Sequence, residues 1–249
     1  MANGISSCPF CGSALPRRNV ALPGRAPRLV TMPCTCPQAV AQESDEERER
    51  IRDERARAFG AVWARSGIPE EFAHVEADFA LAEAIDSNRS LYLTGENGRG
   101  KTRLACMVAK GFLLRHTTEE HGVVACRRSL RFVTWQDVTS QIRSARRSWT
   151  QSEVDVYQRL VGVSLLVLDD VGKGVPEERD AETLEWIVNQ RWADHRPVVF
   201  TSQYDTEMLV ARYAKAGSET LGALLSRIRG WCDGARLDGP DRRLTHGED

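Results

Sequence analysis

The residues from Gly95 to Arg103 have the types and the spacing of a phosphate-binding loop. Four residues separate Gly95 from the triplet Gly100-Lys101-Thr102. Backbone N–H groups of such a loop approach phosphate oxygens closely, and glycine leaves no Cβ to obstruct them. The sequence therefore predicts a nucleotide-binding loop made of Gly95, Glu96, Asn97, Gly98, Arg99, Gly100, Lys101, Thr102 and Arg103.

Lys101 and Thr102 are the two side chains of this loop that suit phosphoryl chemistry. The ammonium of Lys101 would reach the β- and γ-phosphates of ATP, and the hydroxyl of Thr102 would bind Mg²⁺. The apolar run Ser90–Thr94 predicts a buried strand before the loop, and apolar residues at helical spacing predict a helix after it. The positive end of that helix would face the anion. A glycine-rich surface turn is the alternative, and the flanking strand and helix argue against it.

Two acids follow a second apolar run. Val163–Leu168 reads VSLLVL and is followed by Asp169 and Asp170. Such a run is typical of a central parallel strand, whose carboxyl end would lie beside the phosphate-binding loop. Mg²⁺ prefers oxygen ligands, so we expect Asp169 to hold the ion together with Thr102. Asp170 would orient or deprotonate the water that attacks the nucleotide.

The segment Pro197–Gln203 is apolar at its start and polar at its end. It predicts a third buried strand, which would bring a hydroxyl or amide group near the γ-phosphate. Helical periodicity marks Gln136–Arg147 and Glu182–Trp192 between the strands. Because strands and helices alternate, we expect an α/β fold of the P-loop NTPase kind, a three-layer sandwich with a mostly parallel sheet.

Four of the 7 cysteines lie before residue 37 and indicate a metal site. Cys8 and Cys11 have the Cys-x₂-Cys spacing of a zinc ribbon, and Cys34 and Cys36 would complete the tetrahedron around Zn²⁺. The second pair departs from the ribbon pattern because only one residue separates its cysteines. Four unrelated cysteines of a reducing compartment are the alternative. The proline-rich residues between the pairs could form little core without a metal ion.

The sequence divides into three segments. Residues 1–40 form the zinc-ribbon-like segment. From Gln42 to Phe59 the chain is rich in charge and lacks proline and glycine, so we expect a linker helix over residues 41–66. Such a helix is either a plain exposed linker or a docking face. Gly67-Ile68-Pro69 ends the helical region, and residues 67–249 form the nucleotide-binding domain.

Charge and hydropathy limit the classes of partner. Charged residues make up 28% of the chain but nearly cancel to a net charge of −1, so any contact with DNA must be local. The amino terminus lacks the basic lead and apolar core of a secretion signal, and the longest strongly apolar run is too short to span a bilayer. We expect a cytoplasmic protein without a membrane partner.

The chain resembles the AAA+ helicase loaders of the DnaC/DnaI/IstB group in an ordered set of motifs between residues 61 and 245. The motifs are Gly67–Phe72, Gly95–Thr102, Leu165–Gly172, Asn189–Trp192, Thr201–Tyr204, Ser226–Ile228 and Gly239–Arg243. The resemblance implies an ATP-binding and ATP-hydrolysing protein that loads a replicative DNA helicase onto single-stranded DNA and forms a homo-oligomer. The amino-terminal segment is similar to the helicase-binding part of DnaI-type loaders in its cysteines alone.

The resemblance also assigns roles to three polar residues. Arg227 falls where the family places an arginine finger, which reaches the nucleotide of a neighbouring subunit and is catalytic there. Arg243 falls at the sensor 2 position and Gln203 at sensor 1. A surface ion pair is the alternative for either arginine. Gln203 stands where many relatives have asparagine, and Asp170 is shorter than the usual glutamate, so we expect slow turnover that the partner or DNA stimulates.

Single-stranded DNA, the other ligand that the resemblance implies, needs cations and aromatic surfaces. Arg143, Arg146 and Arg147 lie on one predicted helix that leads to Trp149, and they would contact phosphates while the ring stacks on a base. Lys173 is a further candidate. Arginines on a helix are more often merely solvated, which is the alternative for these three.

Two other functions fit the same motifs. One is a transposition-helper ATPase of the IstB kind, which acts with a transposase on duplex DNA. The other is an adaptor that binds nucleotide without hydrolysing it. The cysteine-bearing segment argues against the first, and phosphate release would exclude the second.

Overall fold

The computed structural model describes residues 7–22, 25–147, 152–215 and 221–241. The chain divides into two compact units, Met1–Ala56 and Arg57–Asp249. A search of the described helices for a membrane-spanning segment finds none, because each is too short or too polar to cross a bilayer.

The first unit contains a small hairpin and most of a long helix. Strands β1 (Arg17–Leu22) and β2 (Arg25–Thr31) pair antiparallel, and helix α1 is Pro37–Trp63. The charged stretch Gln42–Phe59 lies within α1, but the helix begins four residues before the predicted range 41–66 and ends three residues before its end. Exposed ion pairs between neighbouring turns, such as those of Arg50 with Glu47 and Glu54, each support this helix by about 0.2–0.5 kcal/mol.

The second unit alternates strands and helices. Its strands are β3 (Ser90–Thr94), β4 (Thr117–Glu120), β5 (Val123–Cys126), β6 (Leu130–Thr134), β7 (Leu165–Asp169), β8 (Val198–Ser202) and β9 (Cys232–Arg236). Its helices are α2 (Phe79–Asp86), α3 (Lys101–Arg115), α4 (Trp135–Arg147), α5 (Glu153–Val161), α6 (Glu178–Ala193), α7 (Thr206–Ala214) and α8 (Leu221–Trp231). A 3-10 turn, Glu70–Phe72, precedes α2.

The central sheet has five parallel strands in the order β6-β7-β8-β3-β9. Strand β8 therefore lies between β3, which leads into the phosphate-binding loop, and β7, which ends at Asp169. Strands β4 and β5 form a separate antiparallel hairpin. The carboxyl ends of all five sheet strands meet at one edge, as parallel pairing requires, and this edge holds the predicted site.

Both faces of the sheet are covered by helices. Alternate strand residues belong to two different cores: Leu91, Leu93, Leu165, Val167 and Val199 pack with α2 and α3, whereas Tyr92, Leu166, Leu168, Val198 and Phe200 pack with α4 to α8. Side chains alternate between the faces of a strand, so a strand buried on both faces is apolar throughout. The predicted three-layer α/β sandwich with a mostly parallel sheet is confirmed.

Candidate nucleotide-binding site

The phosphate-binding loop is packed so closely that two of its positions exclude any side chain. Gly95 and Gly98 have φ angles of 143° and 77°. A Cβ on Gly95 would overlap the carbonyl of Leu237, and one on Gly98 would overlap the carboxylate of Asp241. The segment after β9 thus lies against the loop, and the loop keeps the bare backbone that phosphate binding needs.

Helix α3 begins differently from its neighbours. Asp78 accepts a hydrogen bond from the backbone N–H of Leu81 at the start of α2, and Asp205 accepts one from Met208 at the start of α7. Gly100 precedes α3 with φ 85°, and no side chain among the described residues caps that helix. Within the described chain, the first turn of α3 therefore has no side-chain cap at the end that would face an anion.

Lys101 is only 5% exposed although it carries a charge. Its Nζ donates a hydrogen bond to the carbonyl of Glu96 at 2.8 Å, so the ammonium lies across its own loop. The side chain of Glu96 in turn pairs with Arg99. Asn97 and Arg103 are exposed. The structure thus brings the lysine, rather than the loop's other charged residues, to the inner side of the loop.

Asp169 receives hydrogen bonds from two elements at once. The hydroxyl of Thr102 at the start of α3 donates to its Oδ1 at 2.9 Å, and the hydroxyl of Thr201 on β8 donates to the same oxygen at 2.6 Å. Burial raises the pKa of Asp169, and the two hydrogen bonds act in the opposite direction. A buried carboxylate and a hydroxyl in contact are the oxygen donors that suit Mg²⁺ beside a bound phosphate. The residues present therefore fit this ion.

Asp170 directly follows the buried carboxylate and has φ 57°, a left-handed conformation that is uncommon outside glycine. Its backbone N–H donates to the Thr201 hydroxyl at 2.9 Å, and its carboxylate pairs with Lys173 at 2.6 Å. The strained backbone turns the side chain of Asp170 away from the strand direction. Asp170 therefore forms an ion pair with Lys173, the residue that was a further candidate for contact with DNA.

Thr201 was not among the predicted site residues, whereas Gln203 was. The amide of Gln203 donates to the hydroxyl of Tyr204, and it is Thr201 that touches Asp169. Because β8 lies directly beside β7, the last buried residues of β8 face the acid at the end of β7. The signal in the sequence is a hydroxyl residue directly after the apolar residues Val198–Phe200, and it acquires meaning once the strand order is known.

Of the two arginines assigned by resemblance, the structure describes only Arg227, which lies elsewhere. Arg227 on α8 has its guanidinium carbon 5.7 Å from the ring centre of Trp192. It lies near the amino-terminal edge of the sheet, away from Lys101 and Asp169, since α8 leads into the first residue of β9. Arg243 lies outside the described residues, and so does Trp149.

The arginines predicted to contact DNA lie together on α4, two of them in ion pairs. Arg143 pairs with Glu177 at 3.0 Å and Arg146 with Glu153 at 2.8 Å, whereas Arg147 is exposed. A paired guanidinium offers less net charge to a phosphate, so two of the three predicted contacts would require these ion pairs to open.

The four cysteines of the first unit form one cluster. Their sulfur atoms lie within 4.8 Å of one another, with Cys8 and Cys36 3.8 Å apart and Cys11 and Cys34 3.5 Å apart. Zn–S bonds of 2.3 Å in a tetrahedron place the sulfur atoms about 3.8 Å apart. The N–H of Ala39 donates to the Cys36 sulfur at 3.4 Å, so a backbone donor faces the cluster. The cluster therefore fits one zinc ion.

A comparison of sequences finds one matching family over most of the chain. The family described as "IstB-like ATP binding protein" matches residues 72–248. Curated relatives include the replicative helicase loader DnaC of Escherichia coli (strain K12), which is 28% identical over 116 residues. That alignment covers 46% of the chain and 43% of the relative, so the chain spans less than half the length of the curated relatives it matches.

A comparison of structures finds the same architecture in solved proteins. The crystal structure titled DnaI matches with a TM-score of 0.54 and 22% identity, over 71% of this chain and 95% of that chain. The crystal structure of the DnaC helicase loader matches with a TM-score of 0.53 and 15% identity, over 68% of this chain and 100% of that chain. These likenesses confirm the predicted AAA+ type of fold.

Proposed function

The chain belongs to the family of IstB-like ATP-binding proteins, and on this premise we propose that it hydrolyses ATP and loads a replicative DNA helicase onto single-stranded DNA. ATP binding follows from the family. Hydrolysis, helicase loading and contact with DNA are our proposal. It is supported by the likeness to a replicative helicase loader and by the cysteine cluster that precedes the ATP-binding domain.

The observation that carries the proposal is the contact between Thr102 and Asp169. These residues are 67 positions apart in the chain, yet their oxygen atoms lie 2.9 Å from each other at the end of the phosphate-binding loop. ATP hydrolysis needs a divalent ion that offsets the charge of the phosphates, and a hydroxyl and a carboxylate at this place would hold it.

The remaining residues of the site divide the other tasks. Mg²⁺-ATP supplies the phosphoryl group and the ion that neutralises its charge. Lys101 and the N–H groups at the start of α3 would bind the phosphates, and Asp170 would orient the attacking water. Asp170 must first leave Lys173. We therefore expect slow turnover until a partner or DNA changes this ion pair.

Arg227 would complete the site of a second copy of the chain. It lies at the amino-terminal edge of the sheet, whereas the phosphate-binding loop lies at the carboxyl edge, one five-residue strand or about 13 Å away. An arginine on that edge can reach a nucleotide only in another subunit. We therefore propose a homo-oligomer in which each finger acts across the interface, with Arg243 as a phosphate contact within its own subunit.

The first unit and α4 would bind the macromolecular partners. We propose that residues 1–40 bind zinc through Cys8, Cys11, Cys34 and Cys36 and dock on the helicase. Arg147, which is exposed, is the first candidate for a phosphate of single-stranded DNA, with Arg143 and Arg146 contributing once their ion pairs open.

A direct test uses the replicative helicase of the source organism in a pull-down. We expect the wild-type protein and Lys101→Ala to retain the helicase, and Cys8→Ser/Cys11→Ser to lose it together with its zinc. A second assay measures helicase bound to single-stranded DNA, where Lys101→Ala should fail. Absence of helicase binding by the zinc-loaded wild-type protein would contradict the proposal.

Two observations favour other functions. The family description itself refers to IstB-like proteins, which favours a transposition helper; retention of a transposase in place of the helicase would support it. The ion pair between Asp170 and Lys173 favours an adaptor that does not hydrolyse ATP. If the protein with helicase and single-stranded DNA releases no more phosphate than Lys101→Ala does, the adaptor function gains and hydrolysis is excluded.

A further inference from the structure

Arg227 differs in its surroundings from the other arginine of the same helix. Arg229, two positions later on α8, is paired with the carboxylate of Glu207. Within the described part of the chain no carboxylate forms an ion pair with Arg227, and its guanidinium carbon lies 5.7 Å from the ring centre of Trp192. One helix therefore carries one arginine that is paired with a carboxylate and one that lies over an aromatic ring.

Trp192 lies next to an anchored residue at the end of α6, although 49% of it is exposed. The preceding residue, Arg191, is completely buried and donates hydrogen bonds to the carbonyls of Leu160, Val161, Val163, Ser164 and Pro197. These bonds fix the last turn of α6. The two helices are also joined by a shared apolar core, in which Ile187 and Val188 of α6 pack with Leu224 and Ile228 of α8. The backbone that carries Trp192 is thus anchored beside Arg227.

A ring and a carboxylate constrain a guanidinium in different ways. A carboxylate occupies two N–H donors and cancels the charge, and both must be recovered before a phosphate can be bound. An aromatic face attracts the cation through its π-electrons and leaves the N–H donors, which lie in the guanidinium plane, free at the edge. Contact with a ring therefore limits the side chain to few rotamers without using the groups that bind phosphate.

We propose that Trp192 is a positioning residue that holds Arg227 ready to enter the ATP site of a neighbouring subunit. The inference rests on the proposed function, because it presumes hydrolysis across a subunit interface. Trp192 would orient Arg227 within the same subunit, before the arginine enters the ATP site of the neighbouring subunit. Trp192 itself contacts neither ATP nor the reacting water.

The first experiment measures ATP hydrolysis at saturating ATP with single-stranded DNA. Arg227→Ala should lower kcat by about a thousandfold and leave KM within twofold. Trp192→Leu should lower kcat by about three- to fivefold, as expected when a cation–π contact at an exposed site is lost, and Trp192→Tyr should restore most of it. The double variant Trp192→Leu/Arg227→Ala should be no slower than Arg227→Ala alone. Arg229→Ala is the matched control and should behave as wild type.

The second experiment mixes subunits and separates positioning from general damage. Lys101→Ala subunits lack a working site but supply an intact finger, so mixing them with Arg227→Ala subunits should restore hydrolysis. Adding Trp192→Leu to the Lys101→Ala subunits should lower the restored rate by the same three- to fivefold factor. Adding it to the Arg227→Ala subunits should not change the restored rate.

The possible results distinguish this inference from the proposed function. If wild-type protein releases no more phosphate than Lys101→Ala does, both are wrong. If Arg227→Ala is slow but Trp192→Leu matches wild type, only the role of Trp192 is excluded. Two further results would overturn the role of Trp192. One is a loss of kcat that Trp192→Tyr does not restore. The other is a lower restored rate when Trp192→Leu is added to the Arg227→Ala subunits, because a merely structural residue would give either result.

Discussion

The two edges of the central sheet each contain a buried cation, and the two cations are used differently. At the carboxyl edge Lys101 lies beside a loop of bare backbone and the oxygen pair of Thr102 and Asp169. At the amino-terminal edge Arg191 donates to five carbonyls, which belong to the end of α5 and to the loops before β7 and β8. Burial lowers the pKa of Arg191 to about 9, which is still above neutral, so the charged guanidinium holds these carbonyls.

This difference distinguishes the polar groups that would bind a ligand from the polar groups that stabilise the fold. The polar groups around Lys101 are linked by individual hydrogen bonds, which contacts with a phosphate or an ion can replace. Groups around Arg191 are joined by several bonds at once, and Trp231 adds another to the carbonyl of Asn88. Loss of a group at the first edge should therefore weaken binding, and loss at the second should weaken folding.

Lys101→Ala should have a large effect on ATP binding. We expect ATP affinity to fall by about a hundredfold or more, because the ammonium is the main charge facing the phosphates, while the melting temperature changes little. Lys110→Ala is the matched control, since Lys110 lies on the same helix and also donates to a carbonyl, that of Val75. Titration with a fluorescent ATP analogue measures both. Equal losses in the two variants would contradict the assignment.

Arg191→Met should act on stability alone. Five carbonyls would lose a charged donor in the interior, so we expect the free energy of unfolding to fall by about 3–5 kcal/mol. The ATP affinity of the folded protein should not change. Arg196→Met, which removes a single bond to Val161, should cost about 1 kcal/mol. Urea denaturation measures these values. If Arg191→Met lowered ATP affinity and left stability unchanged, Arg191 would contribute to ligand binding rather than to folding.

Asp169→Asn should affect binding and stability in opposite directions. Burial raises the pKa of Asp169 in the folded state, so folding disfavours the ionised carboxylate. The resulting loss of stability is absent below the unfolded-state pKa. It grows as pH rises through the folded-state pKa and is complete at neutral pH. We therefore expect the variant to be more stable at pH 7 by about 1 kcal/mol and to lose the gain in acid. Mg²⁺-dependent ATP binding should be lost. Thermal melting between pH 3 and pH 7 tests the first part; a destabilised variant at pH 7 would refute it.

Arg229→Ala should have the smallest effect. Its ion pair with Glu207 is exposed, so we expect a change below about 0.5 kcal/mol in the free energy of unfolding. A larger cost would mean that the amino-terminal edge depends on surface charge as well as on Arg191.

The sequence predicts the elements whose signals are local. The strands Ser90–Thr94, Leu165–Asp169 and Val198–Ser202 are confirmed, because each is a short apolar run that polar residues end. Helix α4 is confirmed, with Val138, Ile142 and Ala145 buried as its periodicity predicts.

Two elements depend on contacts that a local pattern does not contain. Helix α6 begins at Glu178 rather than Glu182, because the N–H of Glu177 donates to Asp180 and starts the helix a turn earlier. Strand β9 reads CDGAR, a composition that predicts no strand, and it forms because β3 offers a free edge for parallel pairing.

The sequence by itself determined the phosphate-binding loop, the acid pair and the two cysteine pairs, since each is a set of residues whose chemistry depends on neighbours along the chain. Only the tertiary structure decided that β8 separates β3 from β7, that Thr201 rather than Gln203 touches Asp169, and that Arg227 lies on Trp192. These are pairings between distant segments. They are fixed by which apolar faces pack together and by where buried polar groups find partners, and no window of sequence contains both halves of such a contact.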